Sequence, residues 1–252
     1  MGEVTGPSEV TRVQGPVRPA RAGEPARLAV LVSGRGSNLQ AILDACAGGE
    51  LKGLARVEAV VSDNPEAPAL ARAKAAGVPR VEVLDRRSFP NRAAYDRALD
   101  ALLAEIDPDL ICLAGYMRLV APATVARWRG RMLNIHPALL PAFPGLHAQR
   151  QAVEYGVRVS GCTVHLVDEG MDTGPILLQE AVPVYPDDTE ESLSERILPV
   201  EHRLYPAAIR FVLTQPWRLV GRRITLCEEG VEGARGTGDT VRGAGEAFDG
   251  CK

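Results

Sequence analysis

The sequence predicts an α/β fold: a Rossmann-like, mostly parallel twisted sheet with helices on both faces, whose C-terminal strands are partly antiparallel. Short apolar runs alternate with segments of helical periodicity from about residue 27 to residue 136, which is typical of a doubly wound sheet. The runs are apolar at nearly every position, as in strands buried on both faces. Beyond residue 156, two apolar segments are joined by a short acidic turn, which favours an antiparallel pair.

Composition excludes several classes of protein. With 252 residues, 46% of them hydrophobic, the chain can bury a sizeable core. A net charge of -3 indicates no global basic field, so nucleic acid is not predicted as a partner. No secretory segment follows Met1 and no apolar run is long enough for a membrane span, so we expect no membrane partner and a cytoplasmic location. The five cysteines and four histidines lack metal-ligand spacing, and no metal is predicted.

Three regions differ in composition. Residues 1–26 and 228–252 are rich in Gly, Glu and Arg and poor in large apolar side chains, so we expect a disordered leader and a disordered tail. Residues 27–227 contain the apolar runs and should form one folded domain.

The first predicted strand, residues 27–33, leads directly into a glycine-containing turn and a helix. Gly36 allows close backbone approach, and the free amides of Ser37 and Asn38 at a helix N-terminus attract phosphate. A plain strand-to-helix turn capped by Ser37 or Asn38 explains the same residues. From local sequence alone the two interpretations stay open.

The next elements continue the alternation. A strand over 57–65, a helix over 67–76 and a strand over 81–84 precede a helix that Asn91 should cap. One stripe of this helix is apolar, at Tyr95, Leu99, Leu102, Leu103 and Ile106. Arg92 lies in its first turn, where a cation gains nothing from the helix dipole, so Arg92 is either merely solvated or placed there for an anionic ligand.

A further strand, residues 110–114, ends at Gly115, and a short helix then leads to a strand at 132–135. Because crossovers between parallel strands are right-handed, the strand ends at Gly36, Gly115 and His136 should meet at one edge of the sheet.

The stretch LNIHPALLPAFPGLHAQ, residues 133–149, places polar side chains among apolar ones. Asn134 and His136 alternate along a strand and so point to the same side where the chain leaves the sheet. Asp172 lies in a glycine-rich turn after another strand. An amide, an imidazole and a carboxylate that meet there can stabilise an oxyanion and move a proton, with an unperturbed imidazole pKa of about 6.5. As an isolated pair, Asn134 would more simply satisfy a loop backbone and His136 would be an ordinary strand-end histidine, and the acidic turn that follows in the chain reverses this preference.

Toward the C-terminus, residues 190–214 have a helical pattern interrupted by Pro199 and Pro206, which predicts a kink or two separate helices. A small hairpin should follow around Gly221. His165 is either a hydrogen-bonded core histidine or the group that steadies Asp172.

Five motifs together resemble a known family. In chain order they are SGRGSNLQ, LAGYMRL, LNIHPALLPAFPG, MDTGPI and VEHRLYP. They are similar to the glycinamide ribonucleotide formyltransferase family, folate-dependent enzymes of purine synthesis, over about residues 28 to 226. The resemblance implies the formyltransferase fold and transfer of the formyl group of 10-formyltetrahydrofolate to the amino group of 5'-phosphoribosylglycinamide. It implies no metal, small-molecule partners, and a monomer or homodimer.

The resemblance also implies residue roles. The catalytic trio is Asn134, His136 and Asp172. The substrate contacts are the backbone of Gly36, Ser37 and Asn38 at the phosphate, Glu201 at the ribose, and Gly115 and Pro137. The cofactor contacts are Arg92 at the folate glutamate, the loop of Met117, Arg118, Leu119 and Val120, and the turn that begins with Val167 and Asp168. Thr163 and His165 match residues beneath the catalytic aspartate. Leu198 stands where some members carry a polar residue facing the ribose.

Other kinds of protein could carry the same polar residues. Formyltransferases that act on initiator methionyl-tRNA have an added C-terminal barrel, and formyltetrahydrofolate deformylases have an N-terminal regulatory domain, neither of which this composition supports. A catalytically inactive phosphate- or folate-binding module would not require all three polar positions. Which group takes the proton of the amine stays open at this stage.

Overall fold

A computed structural model describes residues 14–17 and 22–227. Its nine strands are β1 Ala26–Val32, β2 Ala55–Ser62, β3 Arg80–Val83, β4 Leu110–Leu113, β5 Met132–His136, β6 Val159–Leu166, β7 Ile176–Pro183, β8 Trp217–Val220 and β9 Arg223–Leu226. Its six α-helices are α1 Ser37–Ala47, α2 Pro68–Ala75, α3 Arg92–Ile106, α4 Pro122–Arg127, α5 Ala148–Tyr155 and α6 Glu190–Thr214.

Seven strands form one sheet in the order β3-β2-β1-β4-β5-β6-β7. The pairs from β3 through β5 are parallel, whereas β6 is antiparallel to both β5 and β7. The predicted fold class is therefore confirmed, including the antiparallel C-terminal strands. The order reverses at β1 and β4, a topological switch point where ligands bind in open α/β sheets.

Apolar side chains of the central strand β1 alternate between two cores. Leu28, Val30 and Val32 pack on the face covered by α1, α2, α5 and α6. Ala29 and Leu31 pack on the opposite face, against α3 and α4. This two-sided burial explains why β1 is apolar at nearly every position instead of at every second one.

One of the two alternatives for the last long helix is wrong. We expected Pro199 and Pro206 to produce a kink or two separate helices, and α6 is one helix of 25 residues with both prolines inside it, so the helix is not divided. Both prolines lie in a helix packed on the sheet, with Val200, Leu204 and Tyr205 buried around them. Tertiary packing therefore overrides the local cost of the two missing amide donors.

Part of the expected leader contacts the folded domain. Residues 14–17 contact the C-terminal hairpin, formed by β8 and β9, and helix α6: the Gly15 amide donates to the Trp217 carbonyl of β8 at 2.7 Å and the Val17 amide to the Val212 carbonyl of α6 at 2.8 Å. Val17 is buried, and β1 begins at Ala26, one residue before the expected start of the domain. One buried valine and two backbone hydrogen bonds do not change the composition of the leader, so the sequence did not predict this contact. The other leader positions up to 21 and the predicted tail, 228–252, lie outside the described residues.

Candidate active site

Two adjoining cavities open at the carboxyl edge of the sheet. The trio cavity, of about 510 Å³, is lined by Asn134, His136 and Asp172. The glycine-turn cavity, of about 670 Å³, is lined by residues 33–38 and by α6. Seven residues line both cavities: Gly115, Met117, Ile135, Pro137, Gln149, Glu190 and Ser194. The predicted meeting of strand ends at one edge is confirmed, and it produces two joined compartments.

Asp172 lies at the centre of the trio. Its Oδ1 accepts a 3.3 Å hydrogen bond from Asn134 Nδ2, and its Oδ2 accepts a 2.7 Å bond from the Gly145 amide and lies 3.4 Å from His136 Nδ1. The structure thus brings together the three side chains that the sequence predicted. The sequence reasoning missed the Gly145 amide, although the proline-rich loop that holds it was expected to shape a pocket.

The hydrogen bonds of His136 define its protonation. Its Nε2 lies 2.8 Å from the Phe143 carbonyl, which can only accept, so Nε2 carries a proton. Nδ1, which faces Asp172, is therefore the atom that gains or loses the second proton. Protonation at Nδ1 creates an imidazolium paired with the Asp172 carboxylate.

His165 supports the trio from β6. Its Nδ1 donates to the Leu166 carbonyl at 2.9 Å, and its Nε2 lies 3.1 Å from Asn134 Nδ2. His165 Nε2 is also 3.7 Å from Asp172. Of the two interpretations left open for His165, the geometry favours the one in which it steadies the trio.

Burial and the neighbouring charged groups shift the pKa values of His136 and Asp172 in opposite directions. Burial lowers the pKa of His136, and although Asp172 and the Phe143 carbonyl oppose this, the pKa stays below its ordinary value. The lowering follows from burial, because His136 is only 4% exposed and burial disfavours the charged imidazole. Burial raises the pKa of Asp172, but His165, the Gly145 amide and His136 together bring it below its ordinary value. The carboxylate is thus the preferred form of Asp172.

The backbone around the trio is strained. Among the described residues, four that are not glycine have a positive φ, and three of these, Phe143, His147 and Asp172, lie in the loops around the trio cavity. Such conformations cost roughly 1–3 kcal/mol each and concentrate at functional sites. At Asp172 the conformation aims the carboxylate at Asn134 and His136.

The predicted phosphate turn forms the wall of the glycine-turn cavity. Gly36 precedes α1 with φ 73° and has no side chain that caps the helix, so the alternative of a plain turn capped by Ser37 or Asn38 is wrong. A Cβ at Gly36 would lie 2.6 Å from the Ala69 Cβ, so glycine is required here both for its φ and for this close contact. The first amides of α1 have no carbonyl partner inside the helix and can bind an anion.

Asn38 serves a different purpose from capping. Its Nδ2 donates a 2.9 Å hydrogen bond to Oε2 of the buried Glu201, whereas its buried Oδ1 has no hydrogen-bond partner in the described part of the chain. Burial raises the pKa of Glu201 to about 7, which the bond from Asn38 opposes. One turn further along α6, the Tyr205 hydroxyl bonds the carbonyls of Leu113 and Leu133 and so fixes the helix over β4 and β5.

The predicted cofactor residues divide into two groups. The loop of Met117, Arg118, Leu119 and Val120, together with Val167, lines the trio cavity. Arg118 extends toward the ion-pair partner Asp63, at 3.8 Å, and the Tyr95 ring. Arg92 and Asp168 do not line the cavity. Arg92 lies at its rim, where it contacts the Leu119 carbonyl at 3.4 Å and Asp96 at 3.5 Å.

Asp168 and Thr163 hold loops. Asp168 Oδ1 accepts from the Gly170 amide at 3.1 Å and from the Thr173 hydroxyl at 2.6 Å, within the turn that carries Asp172. Thr163 donates to the Ala138 carbonyl at 2.6 Å and accepts from the Leu140 amide at 3.0 Å. Both side chains therefore support the loops around the trio from outside the cavity.

In the described part of the chain, no cluster of three or more His, Cys, Asp or Glu side chains could hold a metal ion. No helix there is long and apolar enough to cross a membrane.

A mostly parallel sheet whose carboxyl edge carries an amide, an imidazole and a carboxylate beside two connected cavities has room for two ligands and the groups to move a proton between them. The family model described as formyl transferase matches residues 26–209. The chain belongs to the formyl transferase family.

Individual relatives agree with this assignment. A phosphoribosylglycinamide formyltransferase of Mycobacterium tuberculosis is 49% identical over 202 residues, which cover 80% of this chain and 92% of the relative. The crystal structure of glycinamide ribonucleotide transformylase 1 from Symbiobacterium toebii superposes with a TM-score of 0.76 at 50% identity, covering 82% of this chain and 100% of that one. A trifunctional purine biosynthetic protein of Bos taurus is 47% identical over 202 residues, but the match spans only 20% of its length.

Proposed function

We propose that this protein transfers the formyl group of 10-formyltetrahydrofolate to the amino group of 5'-phosphoribosylglycinamide, a step of purine synthesis. The observation that supports this most directly is that the trio lies where two cavities join, because a direct transfer requires both ligands to meet at one carbon. The names of the relatives with high coverage support the same reaction.

The folate occupies the trio cavity in this proposal. The exposed apolar side chains of Met117, Leu119, Leu146 and Met171 line its mouth and suit the flat rings of a pterin cosubstrate. Arg92 at the rim binds the glutamate carboxylate of the folate. Val167 contacts the pterin, and Asp168 acts by holding the turn.

The ribonucleotide occupies the glycine-turn cavity. The backbone of Gly36, Ser37 and Asn38 binds its phosphate, and Glu201 binds the ribose hydroxyls. Gly115 and Pro137, which line both cavities, contact the substrate where it passes toward the trio. Leu198 also lines this cavity and supplies an apolar wall there.

The chemistry joins the glycinamide nitrogen to the formyl carbon and breaks the bond between that carbon and N10 of the folate. The amine loses one proton and N10 gains one. Asn134 donates to the oxygen that becomes negative in the tetrahedral intermediate. Asp172, held as a carboxylate, accepts the proton of the amine directly or through water and passes it to Nδ1 of His136, 3.4 Å away, so that the restored carboxylate pairs with the imidazolium.

The contacts of its two ring nitrogens limit the groups to which His136 can donate a proton. Because Nε2 donates to the Phe143 carbonyl and Nδ1 faces Asp172, donation to the formyl oxygen requires the Phe143 bond to open. The lowered pKa of the unliganded imidazole favours its neutral form near neutrality. The second proton of the ring is therefore the one that Asp172 takes from the amine, and the imidazolium gives a proton to the departing N10, which leaves the ring neutral again.

One experiment tests the reaction. The full chain is incubated with 10-formyltetrahydrofolate and one of three acceptors, 5'-phosphoribosylglycinamide, initiator methionyl-tRNA or water alone, and tetrahydrofolate release is followed spectrophotometrically. We expect release only with the ribonucleotide. Release with the tRNA identifies the tRNA enzyme, release with water alone identifies the deformylase, and no release in any arm supports a binding module. A cytoplasmic location and a monomeric or homodimeric state stay predictions.

A further inference from the structure

The glycine-turn cavity has an uneven distribution of charge. Four glutamates line it from α6: Glu190, Glu191, Glu195 and Glu201. Among the residues that line it, Arg35 is the one basic side chain, and it lies at the opposite wall, in the turn between β1 and α1. A dianionic ligand in this cavity is therefore repelled from the wall formed by α6, and Arg35 is the one lining side chain whose charge attracts it to the opposite wall.

The backbone at Arg35 is fixed although its side chain is exposed. Its carbonyl accepts a 3.0 Å hydrogen bond from Arg72 Nε, and the adjacent Gly36 is held by its close contact with Ala69. Within residues 14–17 and 22–227, the Arg35 guanidinium itself forms no hydrogen bond or ion pair. Its five donors are thus free to bind a ligand.

A second observation shows that the cavity is built for a polar ligand. Asn38 is only 8% exposed, lines the cavity, and leaves its buried Oδ1 without a partner in the described chain. An unpaired buried acceptor costs free energy unless a ligand hydroxyl or amine donates to it. The unpaired donors of Arg35 and the unpaired acceptor of Asn38 therefore lie on one short stretch of chain beside the cavity.

We propose that Arg35 is the cation that binds the substrate phosphate, and that it orients the ribonucleotide with its phosphate against the turn and its sugar toward the acidic wall of α6. The inference rests on the proposed function and adds a residue to the substrate site. A guanidinium forms paired hydrogen bonds with phosphate oxygens, so Arg35 supplies directed contacts as well as charge.

The test uses Arg35→Gln, Arg35→Lys and two acceptors, the ribonucleotide and its dephosphorylated glycinamide riboside. Loss of a charged hydrogen bond to phosphate should raise KM for the ribonucleotide about 10- to 100-fold in Arg35→Gln. Values of kcat, KM for the formyl folate and KM for the riboside should stay near wild type. Arg35→Lys should recover part of the loss. Lys52→Gln removes the same charge from an exposed position beyond the other end of α1 and serves as the control.

Two results would overturn the assignment: an unchanged KM for the ribonucleotide, or an equal rise for ribonucleotide and riboside, which indicates a distorted turn. If the wild-type chain transfers no formyl group, the proposed function fails, and calorimetric binding of the ribonucleotide to wild type and Arg35→Gln decides the role of Arg35 separately. Equal affinities in that titration would also reject it.

Discussion

The side-chain amide of Asn38 donates a 2.9 Å hydrogen bond to Oε2 of Glu201, and this bond connects the first turn of α1 to the middle of α6. Both residues are buried and both line the glycine-turn cavity. Burial raises the pKa of Glu201 from its ordinary value of 4.5 to about 7. The carboxyl group is therefore poised to titrate near neutrality in the empty protein.

Glu201→Gln should flatten the pH dependence of stability. In wild type the folded state holds a proton that the unfolded state releases between pH 4.5 and about 7, so the free energy of unfolding falls as pH rises through that window. The free energy of unfolding of wild type should be lower above this pH window than below it by roughly 3 kcal/mol, at about 1.4 kcal/mol per pKa unit. Urea denaturation below and above the window measures it. Glu191→Gln, an exposed change on the same helix, is the control, and an equal slope in wild type and Glu201→Gln would contradict the prediction.

Asp172→Asn should abolish most turnover while both ligands still bind. The change keeps the shape but removes the charge that accepts the proton of the amine, so kcat should fall by about 10²-fold or more. The pKa of His136 should fall further, because Asp172 is the charge that opposes the effect of burial. Steady-state kinetics and an NMR titration of the ring measure the two effects. Turnover within a few-fold of wild type would show that another group handles the proton.

Arg92→Ala should weaken the folate more than the ribonucleotide. Arg92 lies at the rim of the trio cavity beside Leu119, where it can pair with a glutamate carboxylate, and losing a charged hydrogen bond should raise KM for the folate about 10-fold. The same variant should show no change with a formyl pteroate that lacks the glutamate. Arg97→Ala, an exposed change on α3, is the control. An equal loss with both cofactors would rule out the glutamate contact.

Arg222→Ala should lower kcat without lowering stability. Arg222, at the tip of the C-terminal hairpin, donates to the Thr173 carbonyl, next to Asp172. Losing this bond frees the turn that aims the carboxylate, which should reduce kcat by roughly 5-fold with little change in either KM. Arg222→Lys should restore part of the rate, and Arg223→Ala is the control. A lower melting temperature with an unchanged kcat would assign Arg222 a purely structural role.

Removing residues 1–21 should destabilise the protein, contrary to what composition predicts. The deletion removes the buried Val17 and two backbone hydrogen bonds, from Gly15 to the hairpin and from Val17 to α6, at a cost of about 1–3 kcal/mol. Removing only residues 1–13 leaves these contacts in place and is the control. Equal melting temperatures for the two shortened chains would show that the contact contributes nothing.

The sequence by itself determined the order and type of nearly all elements. Strand β1, helix α3 and its cap at Asn91 follow from local apolar spacing and from a side chain that bonds the Ala94 amide, three residues away. It also determined that Asn134 and His136 share one side of a strand, since alternation is a property of the strand itself. The resemblance of the motifs then gave each residue an expected role.

Only the tertiary structure decided the chemical state of those residues. Which nitrogen of His136 carries the proton depends on the Phe143 carbonyl and on Asp172. The raised pKa of Glu201 depends on its burial, which the hydrogen bond from Asn38, 163 residues away in the chain, partly opposes. The unbroken α6 and the docking of Val17 likewise depend on packing between distant segments. A pKa, a hydrogen-bond partner and a buried surface are properties of contacts in space, and local sequence patterns do not contain them.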